Sequence, residues 1–373
     1  MRISYLILIF SILTITSCSL SVITYQNEKV QGNYFQKYYT IYDIKMVSLN
    51  QNNNILYRAS SLVIGEYIYF ADAIGIHKVN MDFSNTKTLV FNDGYEEFLK
   101  LNLSTFSDLQ YSNGKIYFLN ILNNTIYSMD IYGDNVTPIL SSYEVSDIGI
   151  IDHFIIIEDL IFIQIFLFNG FNQDLKSFNL ITREIKVFDF HYEFPTAFSA
   201  STNGKYLYFS HDFRLGSINL KDFSFKNITP SNIEEIDTFL IFRTITNGKI
   251  AFVNPSSQGS QIFIINEKNY AEEIFFFRYG TIRTQINSIG CWIYFVKQPS
   301  DEIYTHLYRI KNDGTNLELV HPNIAYRNPG IPFPNFNIFS EDLIVFRIAQ
   351  QFHETYALIR DEYTGELIRR RLN

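Results

Sequence analysis

The phrase "NGKIYF", Asn113–Phe118, decides the fold because variants of it recur along the whole chain. Related phrases are "GEYIYF" (65–70), "EDLIFI" (158–163), "NGKYLYF" (203–209), "NGKIAF" (247–252), "GCWIYF" (290–295) and "EDLIVF" (341–346). Their penultimate residues follow one another at intervals of 43 to 51 residues: Tyr69, Tyr117, Phe162, Tyr208, Ala251, Tyr294 and Val345. A recurring spacing of this length indicates an array of similar structural units.

Each unit repeats one order of strands and turns. A loosely apolar strand precedes the phrase, a tight Asn-Gly or Glu-Asp turn follows, and the "IYF" part forms the second strand. A third strand, a second polar turn and a fourth strand complete the unit. In "LYRIKNDGTNLELV", Leu307–Val320, Asp313 and Gly314 form the turn between the third and fourth strands of the sixth unit. Gly or Asn is expected to supply the positive φ that such turns need.

Four antiparallel strands every ~45 residues, with no helical stretch between them, predict an all-β chain folded as a β-propeller. Radial packing lets each sheet cover the apolar faces of its neighbours. Seven four-stranded blades are favoured, with six or eight left open. The segment 42–57 could hold part of an eighth blade or a strand that ties the ring shut. A β-sandwich or a β-helix is the alternative fold.

The residues "IYF…LYRIKNDGTN" resemble the repeats of bacterial extracytoplasmic lipoprotein propellers of unknown function, whose units read IYY and then LYR-x-x-x-DGT-N. They are more distantly similar to the YWTD propellers of low-density-lipoprotein receptors and to TolB-type propellers. The sixth unit matches this pattern cleanly, whereas the third, fourth, fifth and seventh units lack the Asp-Gly pair. The resemblance implies an extracytoplasmic propeller.

The N-terminus predicts a lipid-anchored protein. Arg2 and the apolar stretch 3–15 have the charge and length of a signal sequence, and "ITSC" (15–18) resembles the bacterial lipobox, in which the cysteine is acylated. We therefore predict a signal peptide at 1–17, lipidation of Cys18, a tether at 18–40 and the propeller at 41–373. The expected location is the bacterial cell envelope, outside the cytoplasm and anchored to a membrane by the lipid. An ordinary cleaved signal or an uncleaved anchor remain alternatives.

Composition limits the partners. The formal net charge of -8 argues against nucleic-acid binding, which needs a basic face. The only other cysteine, Cys291, would have no partner within the chain if Cys18 is acylated, and we expect it to be a small buried hydrophobe. The fold is then not held by disulfides.

No sequence signature of catalysis is present. His-Glu-x-x-His, Gly-x-Ser-x-Gly and the phosphate-binding Gly-x-x-x-x-Gly-Lys are all absent, so no cofactor, resident metal or catalytic residue is predicted. By analogy with other propellers, ligands bind at the mouth of the channel, on the face that carries the turns after second and fourth strands. Polar side chains at the ends of second strands could hold a hydrated cation or a sugar, or could simply form turns. The ligand-face candidates are Asp72, Asn120, His211, Asp212, Asn254 and Lys297.

Two functions follow from these expectations. The favoured one is a binding or scaffold module that presents a propeller face to a protein, glycan or envelope partner. The alternative is a propeller enzyme, such as a lactonase, lyase or glycosidase, which would need converging acid, base or metal-binding groups at the mouth of the channel. His77 and His153 share no spacing with other ligand-type residues and are interpreted as isolated structural residues.

Overall fold

The computed structural model describes most of the chain from residue 61 onward. The described residues are 61–72, 75–91, 106–167, 173–188, 200–202, 205–211, 214–233, 243–244, 249–256, 259–266, 270–277, 286–297, 304–326, 335–348, 354–361, 364 and 366–372. The predicted signal peptide, Cys18, the tether and the segment 42–57 lie outside them. No helix in the described part of the chain is long and apolar enough to cross a membrane.

The described strands form seven four-stranded antiparallel sheets, so the predicted seven-bladed β-propeller is confirmed. Each sheet takes its four strands from one continuous stretch of chain. Blade 1 contains β1 (Ser61–Ile64), β2 (Tyr67–Ala71), β3 (Gly75–Asn80) and β4 (Lys87–Phe91), and blade 2 contains β5 (Phe106–Ser112), β6 (Lys115–Asn120), β7 (Thr125–Asp130) and β8 (Thr137–Ser141). Blade 3 contains β9 (Gly149–Ile157), β10 (Leu160–Leu167), β11 (Gln173–Asn179) and β12 (Ile185–Phe188), and blade 4 contains β13 (Ala200–Thr202), β14 (Tyr206–His211), β15 (Arg214–Asn219) and β16 (Phe225–Asn227). Blade 5 contains β17 (Arg243–Thr244), β18 (Ile250–Ser256), β19 (Gly259–Ile265) and β20 (Ala271–Phe277), and blade 6 contains β21 (Asn287–Ile289), β22 (Trp292–Lys297), β23 (Tyr304–Lys311) and β24 (Glu318–Tyr326). Blade 7 contains β25 (Asn335–Ser340), β26 (Leu343–Ile348), β27 (Glu354–Arg360) and β28 (Leu367–Arg371). One short helix, α1 (Ser142–Val145), lies between β8 and β9.

The first strands of the blades are the innermost ones. Neighbouring first strands contact one another around the ring, β1 with β5, β5 with β9, β13 with β17, β17 with β21 and β21 with β25. Contact between β25 and β1 closes the ring.

Apolar clusters between neighbouring blades form the core. The "IYF" strand supplies both of its faces to these clusters, and Ile68, Tyr69 and Phe70 of blade 1 are all fully buried. Phe70 packs toward blade 7, whereas Tyr69 packs toward blade 2. A sheet sandwiched between two neighbours explains why the repeated phrase is apolar throughout instead of alternating with polar residues.

The turns between third and fourth strands contain a residue with positive φ, and this residue is a glycine in some blades and a phenylalanine in others. In blade 6, Gly314 has φ +82° and its N–H donates to Lys311 O at 2.9 Å. In blade 1, Phe83 occupies the same place with φ +61° and donates to Asn80 O at 2.8 Å. Phe223 of blade 4 also has positive φ, at +60°. Asn85 in the blade 1 turn has positive φ, at +55°, as expected, but Phe83 and Phe223 also adopt positive φ although neither is Gly or Asn.

The phenylalanines have a packing reason for their strained backbone. Phe83 is 3% exposed and lies against Leu343, Val345 and Ile359 of blade 7. Phe223 lies against Phe162 and Phe188 of blade 3, with ring centroids 6.5 and 6.0 Å apart. Each turn thus inserts an aromatic ring into the preceding blade, and the burial offsets the cost of the αL conformation.

Cys291 differs from the expectation. It is exposed in the turn between β21 and β22 and forms no disulfide within the described residues. The apolar residues that follow it enter β22, whereas the cysteine itself belongs to the turn. The expectation that Cys291 is buried, which rested on the apolar residues beside it in the sequence, is therefore wrong.

Candidate functional site

The turns of a blade alternate between two faces of the ring because each sheet is a series of hairpins. Turns from first to second and from third to fourth strands lie on one face, here called the hairpin face. Turns from second to third strands, and the connections between blades, lie on the other, here called the mouth face. The candidates Asp72, Asn120, His211, Asn254 and Lys297 lie at or near the mouth-face ends of second strands. Asp212 lies outside the described residues.

Asp72 forms part of a buried relay within blade 1. Its Oδ1 accepts a hydrogen bond from Gly75 N at 3.1 Å and lies 2.9 Å from His77 Nε2. The other ring nitrogen of His77 lies 3.0 Å from Thr88 Oγ1 on β4. Asp72 and His77 are 2% and 1% exposed, so the relay joins the turn to two strands and faces no solvent. A ligand role for Asp72 stays a prediction, and it would require this turn to open.

Three further candidates are more accessible. Asn120 is half-buried, and its Oδ1 accepts a hydrogen bond from Leu122 N at 2.9 Å, which is the contact of a turn-forming asparagine. Asn254 and Lys297 are also half-buried, with Lys297 opposite His306 across the β22–β23 pair. They stay candidates for the ligand face.

A second carboxylate–imidazole pair, which the sequence did not reveal, joins blades 2 and 3. Asp108 Oδ1 lies 2.9 Å from His153 Nδ1, and both side chains are almost fully buried between the innermost strands β5 and β9. Both strands contain a bulge at this level. Beside the pair, Gln110 donates to Phe154 O at 2.6 Å and accepts from Ile156 N at 2.8 Å. His153 is therefore structural, as expected, but it is not isolated.

These two pairs orient an imidazole with a carboxylate, which is an arrangement that general-base sites also use. Such a base must reach a substrate, however, and neither histidine is more than slightly exposed. Among the described residues, no group of three or more His, Cys, Asp or Glu side chains could hold a metal ion. Within the described part of the chain, these two pairs are internal contacts between strands.

The mouth face also presents apolar side chains beside the connection between blades 2 and 3. Tyr143 on α1 is 84% exposed, Ile148 after it is 47% exposed, and Ile121 in the β6–β7 turn is 45% exposed. We call these three residues the mouth platform. An exposed tyrosine offers a large contact area with only two side-chain torsions to immobilise.

The mouth platform is fixed by hydrogen bonds. Ser141 N and Oγ both bond to Glu144 Oε2, at 2.7 and 3.0 Å, which caps α1. Ser142 N donates to Asn124 O at 2.9 Å, and Asn124 Oδ1 accepts from Ile151 N at 2.6 Å. The turn that carries Ile121, the helix that carries Tyr143 and the strand β9 are thus tied together.

The comparisons with known proteins identify the fold alone. No protein-family model matches the chain, and no curated protein has a significantly similar sequence. Solved β-propellers are similar in structure. Oligogalacturonate lyase from Vibrio parahaemolyticus has a TM-score of 0.55 at 12% identity, with 84% of this chain and 93% of that chain covered. The β-propeller domain of the Trilobed protease from Pyrococcus furiosus has a TM-score of 0.50 at 13% identity, with 86% and 98% covered. An oligogalacturonate lyase in complex with manganese has a TM-score of 0.54 at 8% identity, with 82% and 85% covered.

Proposed function

We propose that this chain is a membrane-anchored extracytoplasmic lipoprotein whose propeller binds a protein or glycan partner of the cell envelope through its mouth face. The observation that carries the proposal is the mouth platform, in which exposed apolar side chains are held on a rigid connection. Exposed aromatic residues on fixed backbone are the usual anchors of binding surfaces. The half-buried Asn120 lies at the end of the strand that leads to Ile121 and could add polar contacts.

Replacing Tyr143, the exposed aromatic residue of the mouth platform, tests this proposal. Tyr143→Ala is expected to weaken binding of the partner about tenfold, because a well-placed aromatic side chain contributes about 1 to 2 kcal/mol to association. The measurement is a titration with the protein or glycan that wild-type propeller captures from a detergent extract of the native envelope. Because Tyr143 is 84% exposed, we expect the melting temperature of the Tyr143→Ala variant to stay close to that of the wild type.

The matched control is Tyr270→Ala. Tyr270 is 49% exposed beside the turn between β19 and β20, on the hairpin face, and should not touch a partner of the mouth face. Equal losses of affinity in the two variants would contradict a site at the mouth platform, as would full affinity in Tyr143→Ala.

The lipid anchor has a separate test. Wild-type protein is expected to incorporate labelled palmitate in a bacterial host, and Cys18→Ser is expected to abolish that label, because the thiol of Cys18 is the only proposed acceptor. Gel fluorography of the labelled cells reads out the result. Cys291→Ser provides the control and should keep the label. Undiminished labelling of Cys18→Ser would rule out the lipobox interpretation.

A propeller enzyme is the second candidate, and the similarity of the fold to an oligogalacturonate lyase supports it. A carboxylate 2.9 Å from an imidazole can orient a general base, but the buried Asp108–His153 pair would first have to become accessible to a substrate. Lyase activity on polygalacturonate would generate an unsaturated product that absorbs in the ultraviolet. Activity that His153→Gln removes and Tyr143→Ala leaves unchanged would favour the enzyme over the binding module.

A further inference from the structure

Blades 1 and 6 place the same three types of side chain at equivalent positions of the hairpin face. In blade 6, Tyr294 on the second strand is opposite Arg309 on the third. In blade 1, Tyr69 is opposite Lys78 in the same register. Two residues before each tyrosine, Trp292 and Tyr67 place their rings under the cations: Arg309 Cζ lies 4.1 Å from the Trp292 ring centre and Lys78 Nζ lies 3.6 Å from that of Tyr67.

In blade 6 the protein neutralises the cation itself. Arg309 Nε donates to Glu318 Oε2 on the fourth strand at 2.7 Å. Its Nη1 donates to Glu341 Oε2, in the first turn of blade 7, also at 2.7 Å. Two carboxylates, one from its own blade and one from the next, therefore surround this guanidinium.

In blade 1 both carboxylates are missing. The position opposite Lys78 on the fourth strand, where blade 6 has Glu318, is occupied by Lys87. The position that corresponds to Glu341, in the first turn of the next blade, is Asn113, whose amide donates to Asp159 Oδ1 at 2.9 Å in blade 3. Within the described residues Lys78 forms no ion pair, and its polar contact is Ile131 O at 3.4 Å.

The surroundings of Lys78 leave this charge only partly compensated. Burial and the charge of Lys87 lower the pKa of the Lys78 amine below its ordinary value. Aromatic rings replace carboxylates, with Tyr132 and Tyr69 ring centres 5.2 and 5.6 Å from Nζ. Cation–π contacts stabilise an ammonium less than a charged hydrogen bond does.

The carboxylate of Asp130 lies near Tyr69, but it is bound by backbone and side-chain groups of its own turn. Asp130 Oδ1 accepts from Tyr132 N at 2.8 Å and from Asp134 N at 2.9 Å, and Oδ2 accepts from Asn135 Nδ2 at 3.1 Å. These hydrogen bonds hold the blade 2 turn that carries Tyr132. Asp130 thus shapes the wall of the pocket and does not replace Glu318 or Glu341.

We propose that this Lys78 pocket, between blades 1 and 2 on the hairpin face, binds an acidic saccharide whose carboxylate takes the place that Glu318 and Glu341 occupy around Arg309. Two equivalent positions in one chain support this proposal: blade 1 keeps the cation and the aromatic ring beneath it, but lacks both carboxylates at the corresponding positions. The site is distinct from the mouth platform, so it goes beyond the binding function proposed above.

Exposed tyrosines favour a saccharide over other carboxylates. Tyr132 is 62% exposed and Tyr111 is 44% exposed, and both lie close to Tyr69. Flat aromatic surfaces suit the C–H faces of pyranose rings, while Lys78 and Lys87 supply two positive charges for the carboxylate. An acidic peptide would use the lysines but would gain less from the exposed rings.

The test is calorimetric titration of the propeller with short uronate oligosaccharides, each paired with its carboxyl-reduced neutral form. We expect the uronates to bind and the reduced forms to bind at least tenfold more weakly. Lys78→Met, which keeps the stem on Tyr67 but removes the charge, should weaken uronate binding at least tenfold. Lys87→Glu should do the same by supplying the carboxylate internally, as Glu318 does, without lowering the melting temperature.

The matched control is Lys186→Met. Lys186 is on the outer strand of blade 3, and its Nζ lies 4.3 Å from the centre of the Phe223 ring. It is therefore also a lysine over an aromatic ring, but it lies outside the Lys78 pocket. It should leave uronate binding unchanged. Absence of binding by every uronate, equal binding by the reduced forms, or insensitivity to Lys78→Met and Lys87→Glu would overturn the proposal. Tighter binding of an oligoglutamate peptide than of every uronate would overturn the saccharide class.

Discussion

Phe83→Ala is expected to lower the free energy of unfolding by about 3 to 4 kcal/mol, which is the usual effect of truncating a buried phenylalanine. The ring of Phe83 is 3% exposed and fills the contact between blade 1 and blade 7, where the propeller closes on itself. Its removal leaves a cavity against Val345 and Ile359 that the sheets cannot collapse into without shifting. Differential scanning calorimetry measures the effect.

Two further variants separate the effect of losing the buried ring from the effect of the αL backbone strain. Phe91→Ala removes the same side chain from the same blade at a position that is 64% exposed, and it should change stability by less than about 0.5 kcal/mol. Phe83→Gly removes the αL strain as well as the ring, and should be about 1 kcal/mol more stable than Phe83→Ala. If Phe83→Ala proves as stable as Phe91→Ala, the aromatic ring does not hold the closing contact.

Gly314→Ala is expected to lower the free energy of unfolding by about 3 kcal/mol, from αL strain of about 1 kcal/mol and an added clash. A Cβ at this position would lie 2.7 Å from the backbone oxygen of Ile274, in the outer strand of blade 5. Backbone cannot rotate away as a side chain can, so blades 5 and 6 must separate locally. Urea unfolding followed by the fluorescence of Trp292, the single tryptophan and a residue of blade 6, reports this change.

Gly290→Ala is the control in the same blade. Gly290 also has positive φ, at +56°, but a Cβ there meets no atom within 4 Å. Its substitution should carry only the backbone strain, about 1 kcal/mol. Equal effects of the two substitutions would show that the contact between blades 5 and 6 adds nothing at Gly314.

The fold could be predicted because its main signal is local and repeated. The "IYF" strand, the following loop and the third and fourth strands recur in order, and seven copies fix the number of blades even where single copies are degenerate. In the fifth unit, for example, the phrase carries Ala251, yet β18 still pairs with β17 and β19. The conformation of Phe83 was not predicted because its side chain contacts another blade. Phe83 adopts positive φ because blade 7 buries its ring, and neither fact can be read from blade 1 alone.

The candidate site was less predictable for the same reason. The sequence marked the ends of second strands correctly, but it could not distinguish Asp72, whose carboxylate contacts His77, from residues that face solvent. Asp108 was missed because a bulge in β5 turns it toward His153 of the next blade, and bulges shift register without a clear sequence signal. Tyr143 and Ile148 of the mouth platform follow a fourth strand, so a prediction based on the ends of second strands does not include them.

Each described sheet consists of one uninterrupted stretch of chain, and this arrangement favours circular permutation and the duplication of whole blades. No described blade borrows a strand from the opposite end, so the boundaries between blades are equivalent places to begin or end the polypeptide. Leu372 packs in the same cluster as Ile68, which brings the last described residue beside the first blade. Circular permutation, or the duplication of a whole blade in evolution, would therefore keep every hydrogen-bonded sheet intact and alter only the contacts between neighbours.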